Sequence, residues 1–312
     1  MPALVAGLAA GADSIDDMDL LRHGAMSTLS GGIRAPSTLG SHLRCYTWGN
    51  VSQLEKAGRE FLAELARQAP LLPGAGTLTF IDIDSMQKRV YGHAKQGIRL
   101  GHTKIQGKSL LVRGLNALAA VISTPIAAPV TAATRLRGGN AASARGAASL
   151  AVHAIGTARA CGCTGIIIVR LDPAYYKLFP AWRYHAVFTD SPFGLIQAEG
   201  QHRGHAVVEQ VFAGITSGPL AHLPSGVFTA NAAWLSIAAM AHNLVRAAGA
   251  LASLPFAKAR AATIRRDLIA VAARTARPGR GNITLHLPDG WHREQEWLNL
   301  LAAVCRPPAA PA

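Results

Sequence analysis

Two stretches decide the predicted fold: Thr77-Leu78-Thr79-Phe80-Ile81-Asp82-Ile83-Asp84 and Gly165-Ile166-Ile167-Ile168-Val169-Arg170-Leu171-Asp172. The first alternates and is rich in Ile, Phe and Thr, which predicts a strand with both carboxylates on one face. The second is a continuous apolar run, as in a strand that is buried on both faces. If these strands adjoin in one sheet, Asp84 and Asp172 meet at one edge of it.

The surrounding pattern predicts further strands and helices in an α/β order. Helices are expected up to residue 74, the last over Asn50–Gln68. Strands are expected at Lys88–His93, Leu110–Ser123, Ala127–Leu136 and Trp182–Thr189. Further helices are expected at Ser143–Cys161, His202–Ile215, Ala230–Ala250 and Ala257–Ala276, and the segment between Lys95 and Lys108 is expected to be a loop. On the helix over Ala230–Ala250, an apolar stripe at helical spacing is expected to be core; its members are Trp234, Ile237, Ala241 and Leu244.

Three regions follow from this pattern. Pro70, Pro73, Gly74 and Gly76 mark a change of hydrophobic period, so a helical N-terminal module for DNA binding or dimerisation is expected over residues 1–74. An α/β domain follows over residues 75–250. A basic helical tail is expected over residues 251–312.

The charge balance points to a polyanionic partner. The chain has 31 Lys and Arg against 17 Asp and Glu, a formal net charge of +14. Nucleic acid and an anionic membrane both attract such a surplus, but Arg spread over a folded body favours nucleic acid. The longest uncharged runs contain prolines and polar residues, so no membrane span is expected. The cysteines Cys45, Cys161, Cys163 and Cys305 match neither a disulfide framework nor a zinc pattern, and we expect reduced, cytosolic thiols.

Three carboxylates on separate elements are candidates for a metal site. Asp84 and Asp172 end strands, and Glu209 lies in a predicted helix that could pack over the same edge. Mg²⁺ prefers hard oxygen ligands, and pairs of such ions catalyse phosphodiester cleavage and strand transfer. The alternative for each Asp alone is that it caps a turn.

The motifs around these carboxylates resemble one family over nearly the whole chain. The segments are Phe80–Ser85 with Tyr91–Gly97, Lys108–Asn116, Thr134–Asn140, Val169–Tyr176, His202–Phe212 and the run from His222 to Leu244. Together they are similar to DDE transposases of bacterial insertion sequences.

The resemblance implies an RNase H-like mixed sheet flanked by helices. It also implies Mg²⁺ or Mn²⁺ bound by Asp84, Asp172 and Glu209, and cutting and joining of DNA at terminal inverted repeats and a target site. Asp82 is the alternative first ligand; Asp84 is preferred because the family's carboxylate usually precedes Ser or Thr, as Ser85 follows here. A homodimer acting in the cytoplasm at the nucleoid is the expected active form.

Basic side chains near the carboxylates are candidates for phosphate contact. Lys95, Lys104 and Lys108 follow the first Asp, and four further candidates flank the third carboxylate: Arg183, His202, Arg203 and His205. The alternative for the first group is that these are solvated loop charges.

Two departures from the family set the alternatives. His202, His205 and Thr216 stand where relatives carry Tyr, Arg and Lys, and only 36 residues separate Asp172 from Glu209, where relatives have a long β-rich insertion. We therefore expect an internally deleted and N-terminally truncated copy. It is either an active transposase or a catalytically impaired DNA-binding remnant; a host RNase H-like nuclease is the third hypothesis.

Overall fold

The computed structural model describes residues 1–29, 32–92, 94–105, 108–142, 144–171, 192–194, 196–197, 200, 207–216, 218–276 and 283–305. It is a mixed α/β structure in which a mixed sheet is flanked by helices. The helices before the sheet are α1 (Pro2–Ala10), a 3₁₀ helix (Asp16–Leu21), α2 (Met26–Leu29), α3 (Pro36–Arg44) and α4 (Trp48–Gln68). The sheet strands are β1 (Leu78–Arg89), β2 (Arg99–Ile105), β3 (Lys108–Thr124), β4 (Ala127–Gly138) and β5 (Ile166–Leu171), with α5 (Ala147–Ala160) before β5.

Further helices follow the sheet. They are α6 (Val207–Thr216), α7 (Phe228–Ala252), α8 (Leu254–Lys258), α9 (Ala261–Ile264) continued by a π-helical turn (Arg265–Ile269), and α10 (Glu294–Val304). A small hairpin pairs β6 (Arg274–Ala276) with β7 (Thr284–His286). The helix predicted over Ala257–Ala276 is therefore wrong in its second half, because Arg274–Ala276 pairs as a strand.

The sheet combines antiparallel and parallel pairs. β3 is antiparallel to β1, β2 and β4, whereas β5 is parallel to β1. The expected pairing of the first strand with the second is thus confirmed. The prediction that the second strand is buried on both faces is wrong, because only Ile168 and Arg170 of β5 are buried and Ile166 is 44% exposed. Helix α5 connects β4 to β5 and packs against β3 and β4.

Two sequence predictions around β1 and β2 are wrong. The second strand expected at Lys88–His93 is partly β1 itself, because the long β3 provides pairing partners as far as Arg89; His93 lies outside the described residues. The expected loop instead contains β2. Its Gly101 suggests a loop in the sequence, but here a strand needs glycine, since a Cβ would lie 2.1 Å from the Gly139 carbonyl oxygen.

Each face of the sheet has its own hydrophobic cluster. Ile81 and Ile83 of β1 pack with α5 residues such as Leu150. On the opposite face, Ala117 and Ala119 of β3 pack in one cluster with α6, α7 and the N-terminal helices. The predicted boundaries at residues 74 and 250 stay predictions, while the helices on either side of them share this core.

Helix α7 is the centre of that second cluster. Trp234, Ile237 and Ala241 have no exposed surface and Leu244 is partly buried, so the predicted apolar stripe is confirmed as core. The helix is long and apolar enough to cross a membrane, but 67% of its most apolar window is buried inside the protein. Burial of this kind is typical of a core helix.

Asn243 joins α7 to strand β4. Its side-chain oxygen accepts the Thr131 N–H at 2.8 Å, and its amide group donates to the Thr131 carbonyl at 2.8 Å. Thr131 lies at an irregularity in the β3–β4 pairing. The side chain therefore completes backbone hydrogen bonding where the ladder is interrupted.

His242 makes stability depend on pH. Burial lowers its pKa to about 3, and nearby Arg246 acts in the same direction. In the unfolded chain, His242 takes up a proton below its usual pKa of about 6.5, whereas in the folded chain it stays neutral down to about pH 3. The free energy of unfolding therefore falls as the pH falls below about 6.5. We expect the free energy of unfolding to drop by about 2 kcal/mol from this group between pH 7 and pH 5.

Urea denaturation at both pH values tests this expectation. The His242→Leu variant should lose about 2 kcal/mol of the pH dependence, whereas His222→Leu, which changes an exposed histidine, should retain it. An unchanged dependence in His242→Leu would show that other groups cause it.

Candidate functional site

The candidate site lies on strand β1 and its neighbours. Asp82 and Asp84 point to the same sheet face, as alternation predicts, and this is the face covered by α6 and α7. Asp84 pairs in register with Ala119 of β3, which belongs to that cluster. The carboxylates therefore lie on the helix-covered face of the sheet, opposite α5.

Asp82 forms a buried ion pair with Arg170. It is fully buried, and its two carboxylate oxygens accept hydrogen bonds from Arg170 Nε at 2.5 Å and Nη2 at 2.7 Å. The two residues are register partners on the parallel strands β1 and β5. The Arg170 guanidinium also lies 4.2 Å from the centre of the Phe80 ring. A bidentate pair of this kind occupies the oxygens that a metal ion would need, which favours Asp84 over Asp82 as a ligand.

Asp84 has a different environment. It is half-buried, and its Oδ1 accepts the Ser85 N–H at 2.6 Å. Burial lowers the pKa of Arg137, while the Asp84 carboxylate acts on it in the opposite direction. Arg137 is itself held by the Asn116 side chain and by the Arg145 carbonyl at 2.6 Å. Arg137 pairs in register with Asn116 on the α5 face, so its charge acts on the Asp84 carboxylate from the other side of the sheet.

The second carboxylate follows the described part of β5. Leu171, the last residue of β5, pairs in register with Ile83, the residue before Asp84. Asp172 is next in the sequence and lies outside the described residues. Arg183, His202, Arg203, His205 and the strand predicted at Trp182–Thr189 also lie outside them.

Glu209 is on helix α6, which contacts β1, β3 and β4. Val211, Phe212 and Ile215 of this helix are buried in the cluster on the Asp84 face. Glu209 itself is exposed. This helix thus packs against the sheet, while its position over the edge with the two Asp carboxylates and the meeting of all three carboxylates stay predictions. Among the residues that the structure describes, no group of three or more His, Cys, Asp or Glu forms a metal site.

The loop with Lys95 is docked onto the start of α7. The Gln96 N–H donates to the Gly226 carbonyl at 2.9 Å, and the Gln96 side chain accepts the Phe228 N–H at 3.0 Å. Gly97 has φ +77°, and a Cβ there would lie 2.6 Å from the Phe228 ring. Lys95 is half-buried in this loop, while Lys104 and Lys108 belong to β2 and β3.

Sequence reasoning missed Arg170 as the partner of the Asp82 carboxylate. Alternation within Ile166–Leu171 shows which strand face carries Arg170, but only the parallel register with β1 places it beside Asp82. The cysteines are free thiols, and burial raises the pKa of Cys161 to about 12, which makes it unreactive.

Comparisons of the chain with protein-family models, curated proteins and solved structures found no match.

Proposed function

We propose that this chain is a metal-dependent DNA-cleaving and strand-joining protein of the DDE transposase class with an RNase H-like sheet. The observation that carries the proposal is the in-register parallel pairing of β1 and β5, which ends with Ile83 opposite Leu171, immediately before Asp84 and Asp172. The sheet order supports the fold class: β1, β3 and β4 are successively antiparallel, α5 crosses over, and β5 returns parallel to β1.

The donor set fits Mg²⁺ or Mn²⁺. Carboxylate oxygens are the ligands these ions prefer, and Asp84 offers them from a rigid, half-buried strand position. Bound metal ions activate the attacking hydroxyl and stabilise the leaving oxygen. Asp84, Asp172 and Glu209 would hold the ions, and the Asp82–Arg170 pair would fix β5 against β1.

The second candidate, a catalytically impaired DNA-binding remnant, is favoured by Thr216. Its hydroxyl donates to the Phe212 carbonyl at 2.6 Å, within its own helix. The transposases that the sequence resembles carry a lysine at this position. Helix α6 contains no Lys or Arg, which weakens the positioning of DNA phosphates. Homodimerisation and action at the nucleoid belong to the first proposal, the active transposase.

A cleavage assay separates these functions. The purified protein is mixed with a duplex that carries the terminal repeats flanking its gene, in Mg²⁺, in Mn²⁺ or in EDTA. We expect nicking at the repeat boundary in either metal and none in EDTA or on a duplex with scrambled repeats. Binding of the repeats without any nicking would support the remnant. Nicking independent of the repeats would support a host nuclease.

A further inference from the structure

The β2–β3 hairpin forms a two-stranded ribbon with an exposed face. Leu100 pairs with Arg113 and His102 pairs with Leu111, so these four side chains share one face. All four are exposed, Leu100 at 52% and Leu111 at 54%. We call this set the ribbon face.

The ribbon face continues the sheet face that bears Asp84. The β1–β3 register runs without interruption from Ser123 to Gly114, and the β2–β3 register continues to Lys108. Counting by twos along β3 leads from Ala119, the partner of Asp84, to Arg113 and Leu111. At about 3.4 Å per residue, Arg113 lies about 20 Å and Leu111 about 27 Å along the strand from the Asp84 position.

The charge around the ribbon has one sign. From Ser85 to Leu171 the sequence has no Asp or Glu, and its twelve Lys and Arg are Lys88, Arg89, Lys95, Arg99, Lys104, Lys108, Arg113, Arg135, Arg137, Arg145, Arg159 and Arg170. Arg89 and Arg99, at the base of the ribbon, are also exposed, and Arg89 lies over the Tyr91 ring. A second copy of the chain, itself at +14, would meet this surface with repulsion.

We infer that the ribbon face binds duplex DNA beside the cleavage site. A two-stranded β-ribbon fits the major groove, Arg and His can bind phosphate or base edges, and exposed leucines can contact thymine methyl groups. The spacing from Asp84 places these contacts roughly 6 to 8 base pairs from the cut, at about 3.4 Å per base pair. DNA binding by the ribbon face does not depend on catalysis; only the distance from the ribbon face to the cut rests on the proposed function.

Matched charge variants test the ribbon. One variant carries His102→Gln and Arg113→Gln, two residues of the ribbon face; the control carries His42→Gln and Arg44→Gln, an exposed histidine and an exposed arginine of α3. Both lower the net charge equally. All proteins also carry Asp84→Asn, so that binding is measured without cleavage, and circular dichroism verifies folding.

The readout is fluorescence anisotropy with a 40-base-pair duplex between about 50 and 200 mM salt. We expect the ribbon variant to lose at least about tenfold in affinity, with a salt slope flatter by about 1, and the control to change less. Equal losses in both variants would overturn the inference. So would an equal loss on heparin or on a single-stranded RNA, since the surface would then be a general polyanion site.

A tethered probe tests the distance. An iron chelate is attached to His102→Cys in a chain that also carries Cys45→Ser and Cys305→Ser, which removes the exposed thiols. We expect radical cleavage about 8 base pairs from the repeat boundary. Cleavage elsewhere would overturn the placement. If the ribbon variant loses binding but the wild-type chain does not nick the repeats, only the proposed activity is removed. If the wild-type chain nicks the repeats but the ribbon variant binds as its control does, only this inference is removed.

Discussion

Asp84→Asn is expected to lower the rate of Mg²⁺-dependent nicking by about three orders of magnitude while leaving DNA binding intact. Metal-held charge stabilisation in such a site is worth several kcal/mol, and about 1.4 kcal/mol corresponds to tenfold in rate. Asn keeps the size of the side chain but loses the negative charge that holds the ion. The measurement is single-turnover nicking of the repeat duplex, with anisotropy for binding.

Asp289→Asn is the matched control, since Asp289 is an exposed carboxylate far along the chain from the sheet. It should retain the wild-type rate. Asp172→Asn should fall as far as Asp84→Asn, and the double variant no further, because both carboxylates act on the same ions. If Asp84→Asn nicked at the wild-type rate, Asp84 would not be a ligand, and the metal proposal would have to move to other residues.

Removal of one partner of the Asp82–Arg170 pair is expected to destabilise the fold strongly. Arg170→Met leaves a fully buried Asp82 carboxylate without its bidentate partner, which typically costs about 3–5 kcal/mol. Replacing both partners, as in Asp82→Leu with Arg170→Met, should restore most of the stability, because neither buried charge remains. Urea denaturation measures both free energies of unfolding.

The double variant also separates structural from positioning roles. If the pair aligns β5 with β1 for the carboxylates, the double variant should unfold near the wild-type midpoint yet nick more slowly. Restored nicking in that variant would mean that the pair serves stability alone. A small loss in Arg170→Met, below about 1 kcal/mol, would contradict strong coupling across these strands.

The sequence was sufficient to predict those elements whose hydrophobic pattern fits only one kind of secondary structure. Asn50–Gln68 and Ala230–Ala250 were predicted as helices and lie within α4 and α7, and the two decisive strands adjoin as expected. Strand β2 was missed because Gly101 is required by the close approach of Gly139, a contact from a distant part of the chain. No local pattern reports such a contact.

The site shows the same division. Alternation placed Asp82 and Asp84 on one face, but only the register between β1 and β5 revealed that Arg170 engages Asp82. Helix α6 was expected over the edge with the carboxylates; its buried Val211 and Ile215 show that it packs against the sheet. The exposure of Glu209 depends on how this helix is rotated, which spacing alone could not determine.

The bond pair between Asn243 and Thr131 has a consequence for assembly. Among the strands that the structure describes, β4 pairs with β3 alone, and such outer strands offer unpaired backbone groups to other chains. By saturating both backbone groups of Thr131, Asn243 denies an incoming strand a continuous ladder at that point. Half of the residues of this chain are hydrophobic. The Asn243–Thr131 hydrogen bonds thereby protect the β4 edge of the sheet from strand-to-strand aggregation.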